Sequence, residues 1–283
     1  MSAFVALAAF VYFIYSISSS TQINNILENI YNKAAIRLEN LIEQEKNQKK
    51  FPDTSNWHVY QTEQSGTIQN ISVEGLKKCA KNFETQLEVV IVKGQYILKE
   101  TDMFISKNEL EASEIQEILK NFNYSESELV SDNYALGFKQ ITEIGIKSMS
   151  PGINDPGTAI NTIDYLTDLV RIRMQKEDHS ISSNDNNEPI LKMNVIAFEL
   201  LLHNVLASYR NYCKHDLSVM QKLLQLLDLC LGRTACHTEY YKVLYQQAEL
   251  LIDDAKESIS NQHDLNLLQS QFKKIASKFQ EYS

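Results

Sequence analysis

Hydrophobic positions change their spacing three times along the chain. Residues 4–17 are apolar almost all round and carry no charge. That pattern predicts a membrane helix over residues 1–17, with Tyr12, Phe13 and Tyr15 at its interfacial end. A run this short also fits a buried core helix, and that alternative stands beside the membrane reading. From Ile23 the apolar positions thin to one face: Ile23, Ile26, Leu27, Ile30, Ala34, Leu38, Leu41 and Ile42 recur mostly at steps of three and four. The same helix therefore continues, amphipathic, to about Glu45. Lys46 to Asn56, interrupted by Phe51-Pro52-Asp53, breaks it and reads as a linker. Residues 1–47 form the first unit.

Residues 54–106 form the second. Trp57–Gln61 and Gly66–Ser72 read as short strands, and Val73–Phe83 as a helix whose apolar face holds Leu76, Cys79, Ala80 and Phe83. Leu87–Val92 is β-branched and stops at Lys93-Gly94, the strongest strand signal in the chain. Tyr96–Leu98 and Met103–Ile105 complete a small barrel or half-barrel.

From Glu109 the period is helical. Glu109–Phe122, Asn133–Met149, Pro156–Lys176, Asn194–Lys214, Leu217–Leu231, Glu239–Ser260 and Leu265–Phe279 predict a bundle over residues 109–283. Glu177–Pro189, rich in Ser, Asn and Asp, reads as a mobile surface loop. The fold class is mainly α with a small β-rich module: a membrane helix, a small barrel-like domain, then a helical bundle.

One stretch organises the bundle, Ser148-Met-Ser-Pro-Gly-Ile-Asn-Asp-Pro-Gly-Thr158. Asp155 suits an N-cap, Pro156 the first helical position, and Gly152 a positive φ. Loops carry function more often than cores do, so Ser148, Ser150, Asn154, Asp155 and Thr158 are the candidate binding residues.

A net charge of −9 with dispersed Lys and Arg excludes a general nucleic-acid binder. Cys79, Cys213, Cys230 and Cys236 form no CxxC pair and read as reduced thiols. Cys230, Cys236 and His237 match no common zinc spacing and lack an evident fourth ligand. No cofactor or metal is therefore assigned. Glu143 and Lys147, and Asp164, Asp168 and Arg171, read as helix-surface charges, and His203 as a core residue. With no GxSxG, Walker or GxGxxG motif, no catalytic residue is assigned and no enzyme is expected.

With these stretches in hand, the sequence resembles the bacterial predicted membrane proteins grouped as domain of unknown function 2254. The resemblance rests on Asp132, Gly137-Phe138-Lys139-Gln140-Ile141, Ser148, Ser150-Pro-Gly-Ile-Asn-Asp-Pro156, Thr158-Ala159 and Asp164. It extends upstream through Gly66-Thr-Ile-Gln-Asn-Ile, Leu76, Ala80 and Gly94-Gln-Tyr-Ile. It implies a multi-pass inner-membrane protein whose soluble part follows its last span, and this chain begins inside what resembles that span. The family brings no established activity. The layout predicts a channel-like or transport-like protein with a cytoplasmic gating or regulatory domain. The alternative is a membrane-tethered sensor or scaffold binding a small ligand or a protein partner. Membrane lipid and further copies of the chain, as a homo-oligomer, are the expected partners.

Overall fold

The computed structural model describes residues 2–46, 48–124 and 130–282, and within residues 2–21 the side chains of Val5 and Phe10 alone. Among the described residues the chain forms nine helices and eight strands. Helix α1, Ser2–Glu45, is continuous over 44 residues. Leu27, Ala34 and Leu38 of its periodic face are fully buried as the spacing predicts, whereas Ile26, expected on the same face, is exposed.

Among the described residues no helix is long and apolar enough to cross a membrane; the expected span at residues 1–17 falls on side chains that, apart from Val5 and Phe10, lie outside the described residues. The side chains of Tyr12, Phe13 and Tyr15 lie outside the described residues.

The middle of the chain contributes β1 (His58–Gln61), β2 (Gly66–Ile71), α2 (Val73–Asn82), β3 (Leu87–Val89), β4 (Tyr96–Ile97), β5 (Asp102–Ser106), α3 (Ala112–Leu119) and β6 (Phe122–Tyr124). Among the described residues these strands do not close a barrel. They divide into a three-stranded sheet, β4-β2-β6, and a five-stranded one, β1-β5-β3-β8-β7. The last two strands, β7 (His179–Ser183) and β8 (Pro189–Asn194), come from the stretch that composition marks as a loop. They pair as an antiparallel hairpin, and β8 lies parallel to β3 with Leu87 opposite Leu191.

Asn184 closes the hairpin turn by accepting from the Asn186 and Glu188 amides at 3.0 and 2.9 Å. Lys192 fastens β8 to β3 through Glu88 at 2.8 Å. Cross-strand partners, not local composition, make this strand pair. Ile68, Leu76, Leu87, Phe104, Ile118 and Leu191 fill a core between the strands, α2 and α3.

The helical part consists of α4 (Tyr134–Ser148), α5 (Pro156–Arg173), α6 (Phe198–Cys213), α7 (Leu217–Leu231), α8 (Glu239–Ser258) and α9 (Gln262–Phe279). Its core runs through Phe138, Leu166, Leu206, Leu223, Leu227, Leu244 and Leu251, and it includes the buried face of α1. Two glycines on α4 set the helix spacing. A Cβ on Gly137 would stand 2.7 Å from the Ala34 Cβ, so α1 packs there against bare backbone. A Cβ on Gly145 would stand 2.0 Å from the Tyr209 hydroxyl, which shares a buried 2.7 Å hydrogen bond with Thr162. His203 is exposed on α6, a correction to the core assignment: apolar neighbours in sequence occupy the other faces of that helix.

Candidate functional site

The five residues singled out in the 148–158 stretch meet in one joint between α4 and α5. Asp155 caps α5, one carboxylate oxygen accepting from the Thr158 amide at 3.1 Å and the other from its hydroxyl at 2.6 Å. The Asp155 amide donates to the Ser148 carbonyl at 2.8 Å, and the Ser148 hydroxyl to the Gly145 carbonyl at 2.7 Å. The Ser150 carbonyl accepts from the Ile153 and Asn154 amides at 3.0 and 2.9 Å. The left-handed position is Asn154, with φ 48°, and not Gly152 as expected. Asparagine tolerates that conformation well among non-glycine residues. Asp155 and Ser148 thus direct their polar atoms into the joint itself.

A larger concavity lies elsewhere. A groove of about 1080 Å³ opens between the 92–95 turn, α4, the 194–197 connection and α6. That size suits a small organic ligand. Its walls are apolar, with Leu136, Phe138, Ile146, Leu201 and Val205, and Lys93, Lys139, Glu143 and Asn204 supply polar groups. Gly94, at φ 83°, makes the tight turn that forms one lip. The hydroxyl of Thr142, a lining residue, is buried without a hydrogen-bond partner among the described residues. An unpaired buried hydroxyl beside a cavity is a ready contact for a ligand.

Asp178 also lines the groove, and it belongs to a buried charged network. The side chains of Arg173 and Lys176 have no exposed surface. The Arg173 guanidinium donates to Asp178, to the Lys176 carbonyl at 2.6 Å and to the Ile196 carbonyl at 2.9 Å. It also lies 5.9 Å from the ring centres of Tyr134 and Phe198. Asp178 accepts further from the Phe198 amide at 3.0 Å and the Tyr240 hydroxyl at 2.9 Å.

Lys176 donates to Glu45 at 2.5 Å and to the His179 carbonyl at 2.8 Å, and Ser180 donates to the same Glu45 oxygen at 2.9 Å. Burial lowers the Lys176 pKa against the opposing pull of Glu45. Buried charges persist where each has a partner, and here the partners come from five elements: the C-terminal ends of α1 and α5, the start of β7, and the N-terminal ends of α6 and α8. Lys176, Glu177 and Asp178 carry no periodic signal, and Glu45 lies 131 residues from its partner, so the sequence alone does not reveal this network.

The cysteines separate by burial. Cys79, Cys213 and Cys230 are buried and Cys236 is exposed. Burial pushes the Cys213 pKa to about 11 and the Cys230 pKa to about 12, which makes both poor nucleophiles. Cys230 points at the Thr167 carbonyl, 3.8 Å away, and takes no part in a cluster with Cys236 and His237. Those two meet Glu177 instead: one donor atom from each of the three residues lies within 4.8 Å of the others.

The chain is similar to the family described as predicted membrane protein, DUF2254, over residues 1–228. That range takes in α1, both sheets, the 148–158 joint and the groove. Among curated proteins it matches an uncharacterized protein of Mycobacterium bovis and an uncharacterized protein of Mycobacterium tuberculosis. Each is 22% identical over 251 residues, which is 80% of this chain and 46% of the relative. The chain therefore spans under half the length of these relatives. No solved structure matches it. The match over residues 1–228 places this chain in the DUF2254 family of predicted membrane proteins.

Proposed function

We propose that this chain is the ligand-sensing, regulatory part of a membrane protein. A small amphipathic molecule occupies the groove between α4, α6 and the 92–95 turn, and the Arg173–Asp178–Lys176–Glu45 network passes its occupancy to α1. The observation that carries this reading is the double role of Asp178, which lines the groove and is bonded to Arg173. Arg173 is in turn tied to the backbone of Lys176, the residue that holds the end of α1. A ligand that pulls on Asp178 or displaces the 194–197 connection perturbs the anchor of a 44-residue helix. Binding rather than catalysis suits the groove, whose walls are apolar with a few polar groups at the rim. A cytoplasmic position under an inner membrane agrees with four free cysteines. Channel or transport activity in the whole protein would then be what the groove regulates.

The anionic amphiphile 1-anilinonaphthalene-8-sulfonate serves as a probe. It is expected to bind the folded chain with saturable one-to-one stoichiometry and to shift a spin-label distance between α1 and α6. Leu200, exposed on the groove wall, provides the blocking variant Leu200→Trp. Unchanged probe binding in that variant sinks the groove. Binding without any distance change sinks the coupling to α1.

A further inference from the structure

We propose that Glu177, Cys236 and His237 form a three-ligand binding site for a divalent transition metal of the zinc type. The set offers one thiol, one imidazole and one carboxylate, a combination that zinc and cobalt accept with a water in the fourth position. Tetrahedral bonds of about 2.0–2.3 Å place ligand atoms roughly 3.5 Å apart. The three donors already lie within 4.8 Å of one another, so side-chain rotations of about an ångström close the site.

The frame beneath these donors is firm. The Cys236 amide donates to the Met174 carbonyl at 2.8 Å, which ties the α7–α8 connection to the end of α5. The His237 ring stands edge-on to Tyr240, 5.5 Å between centres at 82°. Tyr240 is fixed in turn by its hydrogen bond to Asp178 at 2.9 Å. Glu177 sits between Lys176 and Asp178, whose side chains are both held in the buried network. The His237 Nε2 faces a Glu177 carboxylate oxygen, so these two donors are already side by side. Cys236 and His237 are exposed, which gives an ion access from solvent.

A bound ion would clamp the exit of α5 to the α7–α8 connection, next to the residues that hold α1.

Titration of the 283-residue chain with Co²⁺ tests the assignment. One equivalent is expected to bind, with a near-ultraviolet thiolate-to-cobalt charge-transfer band and the intensified visible bands of a tetrahedral site. Cys236→Ser abolishes the charge-transfer band. Cys236→Ser and His237→Ala each weaken binding at least about tenfold, the lower end of what even an outer-sphere loss costs. His263→Ala, on α9, leaves binding unchanged. A second readout uses the unaltered chain. Cys236 is the exposed cysteine, and one equivalent of Zn²⁺ is expected to slow its alkylation by iodoacetamide. Absence of saturable Co²⁺ binding overturns the site. So does a charge-transfer band that survives Cys236→Ser, or an alkylation rate that Zn²⁺ does not change.

Discussion

Glu45, the last residue of α1, accepts a 2.5 Å hydrogen bond from Lys176, whose side chain has no exposed surface. The pair fastens the end of the longest helix to the junction of bundle and sheet. Glu45→Ala strands a buried ammonium and is expected to cost about 3–5 kcal/mol in urea unfolding. The double variant Glu45→Leu, Lys176→Met removes both charges and is expected to cost far less, or nothing. A double variant as unstable as Glu45→Ala would show that packing, and not the pair, holds the junction. Burial depresses the Lys176 pKa below 10.5, so between its folded value and 10.5 the unfolded chain binds more protons. The contribution of Lys176 to stability therefore rises with pH through that window.

Tyr31 on α1 donates to Asp168 on α5, which also accepts from Arg171 at 2.8 Å. Burial raises the Tyr31 pKa to about 12, with Asp168 adding to the shift. The tyrosine's contribution is complete below pH 10 and is lost between pH 10 and about 12, because the folded chain holds that proton longer. Burial also pushes Asp168 up, but Tyr31 and Arg171 outweigh it, and the net shift is below 3.8. Its contribution is present above that pH and is lost as pH falls through the folded value. Tyr31→Phe is expected to cost about 1 kcal/mol at neutral pH and to remove the loss between pH 10 and 12. Denaturation midpoints across pH read both effects.

Gly145 leaves no room for a methyl group, since its Cβ would meet the Tyr209 hydroxyl at 2.0 Å and the Thr162 hydroxyl at 2.4 Å. Gly145→Ala is expected to destabilise by about 1–3 kcal/mol through overpacking of α4 against α5 and α6. Tyr209→Phe in the same chain removes the nearest atom and recovers part of that loss. Equal melting temperatures for Gly145→Ala and the parent would refute the close approach.

At the joint, Asp155→Ala removes the cap of α5 and is expected to cost about 0.5–2 kcal/mol, whereas Asp155→Asn keeps most of it. Asn154→Val forces a β-branched residue into φ 48° and is expected to cost about 1–3 kcal/mol. Asn154→Gly is tolerated. Thermal melts of the four variants rank these effects.

Much of the helical layout was legible because helix signals are local. The repeat from Ile23 to Ile42 delivered the buried face of α1, and Asp155-Pro156 marked the start of α5, since caps and periodicity involve residues within a few positions of one another. The left-handed residue of the joint was misplaced for an equally local reason: Gly152 and Asn154 both tolerate positive φ, and the bonds to Ser150 decide between them. Family membership was legible too, from the Ser150–Pro156 run and its flanks.

What only the tertiary structure decided depends on distant partners. Ser180-Ile-Ser-Ser becomes a strand because β8 lies beside it and β3 beside β8. An open pair of sheets replaces a barrel for the same reason. The groove exists because the 92–95 turn meets α4 and α6, and the charged network because α1 ends where α5 ends. Glu177 meets Cys236 and His237 across some sixty residues. Side-chain spacing along a chain records the neighbours within one helical turn or one strand, and it carries no record of which ends the fold brings together.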